Sequence, residues 1–218
     1  WSCDEPVAFG GNRPWDKFYR YGLSAPWARV SSSGWVWNFT PTVGYAGESG
    51  ADFSAAIEYS ATLAAARRFN ESLTLGFGLG FFRKIEDSYV FPLVVVNWQI
   101  NEQWRLSNPA PAGPAGPAGL ELSYALGGGW ETGFGATQRR ERQRLDSDGP
   151  FPDGVGEHRF TVVFARIGHD IAPTARLNLY AGAEVNTKLR VEDANGNRLY
   201  SEESDAALMI GLSLVGRF

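Results

Sequence analysis

The 218-residue chain has one cysteine, Cys3, and two histidines, His158 and His169. A lone thiol closes no disulfide within the chain, and three such residues fall short of the four-ligand Cys/His set of a structural zinc site. No metal and no other cofactor is expected. Twenty Lys and Arg stand against 24 Asp and Glu, a net charge of -4, so the basic surplus that a nucleic-acid backbone requires is missing and no nucleic-acid partner is expected. Also missing is any run of about 18 consecutive apolar residues. The longest uncharged stretches, Val30 to Gly47 and Ser88 to Asn101, are broken by Ser, Asn, Thr, Gly and Pro, so no transmembrane helix is expected. The numbering opens on Trp1 without a basic region followed by an apolar one, and any secretory leader is expected to precede it.

What the chain does hold is glycine and aromatics: 26 Gly, roughly 12 % against a usual ~7 %, and 14 % aromatic residues with eight Trp. A hydrophobic share of 44 % and a length of 218 suit one domain with a core. From residue 34 onward the dominant pattern has a period of two. Trp35, Trp37, Phe39, Pro41, Val43 and Tyr45 alternate with Val36, Asn38, Thr40, Thr42 and Gly44. Leu73, Leu75, Phe77, Leu79 and Phe81 alternate with Ser72, Thr74, Gly76, Gly78 and Gly80. Ten such strands are predicted, at about 34–46, 51–67, 70–84, 88–99, 103–109, 117–126, 129–143, 156–169, 173–192 and 203–218. Eight or twelve are the neighbouring even counts.

Connections carry separate information. Those after the even-numbered runs are tight (68–70, 100–103, the glycines 127–129, 170–173), and most of those after the odd ones are longer or more polar (47–50, 110–116, 145–155, 193–202). Long loops on one side and short turns on the other are the habit of outer-membrane barrels. Alternation alone also suits a soluble sandwich or lipocalin. Against that stand strands of 13 or more residues, glycine-rich polar faces with isolated charges, and aromatics at strand ends: Trp35, Tyr45, Tyr59, Tyr124 and Trp130.

The end of the chain bears on the same point. Phe218, Gly216, Leu214, Leu212, Ile210 and Leu208 alternate with Arg217, Val215, Ser213, Gly211 and Met209. A terminal Phe closing an alternating apolar strand resembles the signal by which bacterial outer-membrane barrels are recognised for assembly. On this resemblance the chain looks like a small Gram-negative outer-membrane β-barrel over about residues 34 to 218. Trp104-Arg105-Leu106, the Pro-Ala-Gly loop and Leu120-Glu121-Leu122-Ser123-Tyr124 are similar to an uncharacterised family of such barrels. The resemblance implies an all-β, antiparallel transmembrane barrel in the bacterial outer membrane. Phe218, Leu214, Leu212 and Ile210 would be its assembly signal, and its partners the barrel assembly machinery, outer-membrane lipid and lipopolysaccharide.

Within such a barrel, Glu58, Glu121, Glu131, Arg176, Glu184, Lys188 and Arg190 are expected to face the lumen and pair there, because unpaired charges in a confined space are costly. Arg140, Arg142 and Arg144 fall on the outward phase and are candidates for lipopolysaccharide phosphates, for which Arg offers forked donors. His158, with Glu157 beside it and Asp146, Asp148 and Asp153 nearby, is the one constellation suggesting a general base. No Ser nucleophile is flagged by spacing, and catalysis is not expected. Residues 1–33 are expected to be irregular and aromatic-rich, plugging the lumen or meeting a protein partner on the periplasmic side, with another partner surface at the loops. Ten strands enclose little more than eight, whose side chains fill the interior. The function expected is therefore a structural or partner-binding barrel with at most a narrow pore. The rivals are a barrel enzyme acting on lipid A or peptides at its loop end, and a soluble calycin-like carrier.

Overall fold

The computed structural model describes residue 15, residues 17–109, residue 116 and residues 118–216. The chain is all-β, a single sheet of thirteen strands, with one 3-10 turn at Ser54–Ala56 and no α-helix among the described residues. The strands are β1 (Phe18–Ser24), β2 (Trp27–Val30), β3 (Trp35–Glu48), β4 (Ile57–Arg68), β5 (Leu73–Lys84), β6 (Asp87–Gln99), β7 (Trp104–Ser107), β8 (Gly119–Gly127), β9 (Trp130–Arg144), β10 (Val155–Ala172), β11 (Ala175–Glu192), β12 (Arg198–Ser204) and β13 (Ala207–Gly216). From β3 to β11 each strand pairs antiparallel with the next. A parallel bridge between Gly47 and Arg144 joins β3 to β9 and closes a seven-strand barrel. β10 and β11 extend the sheet from β9, and β11 carries β12 and β13 on its far edge. The other edge of β3 carries β1 and β2.

All ten expected runs are present as strands, but the barrel ring is smaller than ten and three further strands appear. Two of these correct the expectation of an irregular segment where it covers 18–30, residues 1–14 and 16 of that segment lying outside the described residues: Phe18–Ser24 and Trp27–Val30 run antiparallel to β3. Their hydrophobic pattern is hidden by a break at Ala25-Pro26, opposite Pro41 of β3, where neither proline can donate to the ladder. The break leaves one bond, from Ala25 N–H to Pro41 O at 3.1 Å. At the second expected run the strand begins late. Asp52 accepts from the Ser54 N–H and Oγ, both at 2.7 Å, and holds residues 54–56 in the 3-10 turn before β4. The Ser54 hydrogen bonds keep the Asp52 carboxyl below the usual carboxylate range, and Asn197 does the same for Asp193 in the β11–β12 turn. Gly127, Gly128 and Gly129 all take positive φ (86°, 60° and 79°), which is how β8 and β9 reverse so tightly.

The two faces of each strand meet different surroundings. Outward stand Phe39, Leu63, Leu75, Phe77, Leu79, Phe81, Val94, Phe134, Ile167 and Leu179, all exposed. On β13 Leu208, Ile210, Leu212 and Leu214 continue the belt, Leu208 being 93 % exposed. Inward stand the small residues and the charges, and the glycines of β5 and β9 bring backbones and side chains close together. A Cβ at Gly78 would strike Leu63 O and Ala64, and one at Gly135 would strike Leu120 O and Phe164.

A β-bulge inverts part of this pattern. Arg159 pairs with Lys188 but Thr161 with Val185, so β11 has one residue in excess there, and Asn186 sits at φ 53°. Beyond the bulge Thr187, Leu189 and Val191 are buried on the inward phase. Lys188 and Arg190 therefore lie on the outward phase, which corrects the expectation that they face the lumen. Asn tolerates the left-handed region better than other non-glycine residues. Asn186→Gly is expected to be neutral within about 0.5 kcal/mol, whereas Asn186→Val should cost about 1–3 kcal/mol. Denaturant titration of the two variants side by side checks the difference.

Candidate functional site

Two buried charge clusters lie on the sheet, one on its inward face toward the short-turn end and one on the opposite face toward the loop end. The first centres on Arg166 of β10, 8 % exposed. Its Cα partner on β9 is Gly133, which has no side chain, so the guanidinium passes over β9 and reaches β8. There Nε donates to Glu121 Oε1 at 2.7 Å, while Nη2 donates to Glu131 and Nη1 to Asn178 Oδ1 at 2.9 Å. Asn178 Nδ2 donates onward to Ser213 Oγ of β13 at 3.3 Å. Arg176 adds a second cation: Nη1 donates to Glu131 Oε1 at 3.1 Å, and Nε and Nη2 donate to Asp170 at 2.6 and 3.0 Å. One guanidinium thus links β8, β9, β10 and β11 with its charge answered by two carboxylates. A Cβ at Gly133 would strike Glu121 Oε1, and one at Gly168 would lie 2.8 Å from Arg166 Nη1, so both glycines make room for the network. A cavity of about 670 Å³ adjoins it, lined by Arg105, Ser107, Asp170 and Arg176.

The second cluster centres on Glu157, whose side chain is 0 % exposed. Arg140 and Arg142 of β9, the Nη1 of Arg190 at 3.4 Å and the Nε of Arg159 at 2.7 Å all turn to it. Arg142 also donates from Nη2 to Glu192 Oε2 at 2.5 Å and from Nε to Ile85 O at 2.8 Å. Arg144 donates to Ala55 O at 3.2 Å and Asp153 O at 2.6 Å, and to Glu86. Arg142 and Arg144 are 1 % and 4 % exposed, so they are not available to lipopolysaccharide as their outward phase suggested. The reason is the closure at Gly47–Arg144, which covers this end of β9 with the β5–β6 turn and residues 53–56. Arg140 keeps partial exposure and bonds Asp87 at 2.5 Å as well as Glu157.

The remaining candidates fall between these clusters. Glu58 pairs with Arg20 of β1 at 3.3 Å. Glu184 faces His158, with Oε2 and Nε2 3.5 Å apart, and the imidazole stacks on Phe160 at 4.2 Å. Glu157 is next to His158 in sequence but points to the other face of β10, into its arginines. Asp148 and Asp146 bond within their own loop, Asp148 N–H donating to Asp146 Oδ1 at 2.9 Å. Trp15, 2 % exposed, packs with Leu145, Leu189 and Val191, and a Cβ at Gly156 would lie 3.1 Å from its ring. His169 stacks on Trp130 at 4.2 Å, beside the short turns. Leu214, Leu212 and Ile210 face outward on β13, while Phe218 lies outside the described residues.

Of the expected lumen set, Glu121, Glu131 and Arg176 are brought together, Glu58 and Glu184 stand apart on separate partners, and Lys188 and Arg190 are turned away. Arg166, the hub, is absent from that set because it shares its face with Phe160, Val162 and Phe164. That aromatic face is the inward one, packed against Tyr180 and Met209. The signal available in the sequence was a lone Arg on an otherwise apolar face with Gly168 two residues on. No protein-family model, curated protein or solved structure matches the chain.

Removing one partner of a buried pair leaves an uncompensated charge, whereas removing all partners does not. Arg166→Met should therefore destabilise by about 3–5 kcal/mol. Adding Glu121→Gln and Glu131→Gln to Arg166→Met should recover most of that loss, as read from urea midpoints of the refolded protein.

Proposed function

We propose that the chain is an integral β-barrel of the bacterial outer membrane, its wall the seven-strand ring β3 to β9 with β10, β11 and β13 extending the sheet. Its lumen is largely filled, a narrow pore at most, and its role is structural or partner-binding rather than catalytic. The observation that carries this reading is an inverted distribution of polarity. Phe77 is 69 % exposed on the outside of the same sheet whose inside buries Arg166 and Glu121. Exposed apolar side chains run over successive strands, whereas a soluble monomer rarely exposes a contiguous apolar patch of more than a few hundred Å². Against hydrocarbon the same belt is the solvated face.

Strand length and aromatic placement agree with it. A slab ~30 Å thick needs about 9–11 tilted residues per strand. β9, β10 and β11 have 15, 18 and 18, so their loop-end portions, which hold the Glu157 cluster, project beyond the apolar belt. At the short-turn end Trp104 and Tyr124 pack at 4.8 Å and Trp130 stacks on His169, as side chains of a headgroup girdle do. The terminal strand supplies the signal for the assembly machinery, outer-membrane lipid and lipopolysaccharide contact the belt and its rim, and protein partners meet the loop or periplasmic ends. A calycin-like carrier would need an apolar interior for its ligand, where Arg166, Glu121 and Glu131 stand instead. The enzyme reading rests on the juxtaposed His158 and Glu184, with catalysis at the loop end.

In lipid vesicles Phe77→Arg should cost about 2–4 kcal/mol of folding free energy, and Leu208→Arg, nearer the rim, clearly less. Equal tolerance at the two positions in denaturant titrations contradicts a lipid-facing belt. In planar bilayers the full chain should give no large, steady conductance, and a persistent wide-channel current would overturn the filled lumen.

A further inference from the structure

β7 stops at Ser107 and β8 starts at Gly119, so among the described residues no strand stands between residues 87–96 of β6 and residues 138–144 of β9. Pro92, which has no N–H to give, falls in this half-paired stretch of β6. Side chains take the place of the missing ladder on β9. Lys84 Nζ donates to Arg140 O at 2.7 Å, and Arg20 Nη2 to Arg142 O at 2.7 Å.

A cavity of about 550 Å³ lies along this stretch, within the range of small-ligand sites. One wall is aromatic. The rings of Phe82 and Tyr89 stack at 5.1 Å with 17° between planes, and Phe91 continues the same wall. The opposite rim is cationic, with Arg20, Lys84, Arg139, Arg140 and Arg159, and Arg140 lies 4.7 Å over the Tyr89 ring. Glu58, Glu141, Asp87 and Glu157 answer four of these cations. Among the described residues no carboxylate lies within 4.0 Å of the Lys84 ammonium, whose partner is a carbonyl. Arg142 and Arg190 share Glu157 as well, and only Glu192 joins on the acidic side. Four guanidiniums thus share the three carboxylates Glu157, Asp87 and Glu192, and with Lys84 the described residues here carry two more cations than carboxylates, which matches the charge of a phosphate monoester, about −1.5 to −2 at neutral pH.

We propose that this cavity binds an organic phosphate, its head on the rim of Lys84, Arg140 and Arg159 and its apolar body against Phe82, Tyr89 and Phe91. Forked guanidinium donors and a point-charge ammonium are the groups that hold phosphate oxygens. A membrane lipid and a soluble aromatic phosphate both offer this chemistry.

The test is calorimetric titration of the full chain in neutral detergent with 2-naphthyl phosphate, 2-naphthol and inorganic phosphate. The site predicts naphthyl phosphate binding at least tenfold tighter than either of the others. The double variant Lys84→Gln and Arg159→Gln should weaken it at least tenfold, and Arg68→Gln, on the short-turn side, should not change it. Phe91→Ala holds no ion pair and keeps the question open to test if the charge variant fails to fold. It should weaken naphthyl phosphate about tenfold while leaving inorganic phosphate unaltered. Naphthyl phosphate binding no tighter than naphthol, or unmoved by both variants, overturns the proposal. With binding established, displacement by phosphatidic acid but not phosphatidylcholine in mixed micelles supports the site with a lipid source. Displacement by soluble aromatic phosphates alone supports it with a soluble one.

Discussion

A strand offers its two faces to two different surroundings, and in this chain the inner surroundings are charged. Arg166 satisfies that constraint by reaching Glu121, Glu131 and Asn178 across neighbouring strands, with Gly133 and Gly168 leaving the space it needs. Such a network contributes little net stability, because desolvation of the ions opposes their attraction. What it contributes is registry. A one-residue slip of β10 would turn Arg166 outward and Ile167 inward, exchanging a paired charge for an unpaired one, so the alternative pairing is costly. The outward belt is then the remaining half of the same alternation.

The loop end obeys a second constraint. Closure of β3 onto β9 at Gly47–Arg144 brings the outward phase of β9 under cover, where Glu157 and Glu192 neutralise part of its arginine content. The same closure, with β7 only four residues long, leaves no strand among the described residues between the loop-end halves of β6 and β9. Lys84 and Arg20 cap the carbonyls so exposed, and their charges are concentrated beside aromatic rings. The basic pocket is a consequence of a short strand and a narrow ring rather than of a dedicated motif.

Much of this was legible in the sequence because a two-residue period survives over long strands. β3, β5 and β13 present the faces that their alternation predicts, and the glycines 127–129 mark the tightest turn. Legibility failed where period and environment part. The bulge at Asn186 shifts the phase of β11 by one residue, and nothing in a run of alternating Lys, Leu, Arg and Val announces it. Arg166 was obscured because its face is aromatic as well as charged. Arg142 and Arg144 read as outward because phase says nothing of a strand end that another strand covers. The β1–β2 pair was missed because two prolines, Pro26 and Pro41, interrupt one ladder at the same height.

The central claim is that the apolar face of β5 meets hydrocarbon while charges fill the other side. Nitroxide labels placed in turn at residues 73, 75, 77, 79 and 81, in a chain with Cys3 replaced by Ser, report collisions with oxygen and with a water-soluble nickel complex in lipid vesicles. The account predicts an oxygen preference that rises from both ends to a maximum near residue 77, with nickel access there well below that at Asn70 in the turn. Nickel access at residue 77 equal to that at Asn70 would place this face in water and contradict it.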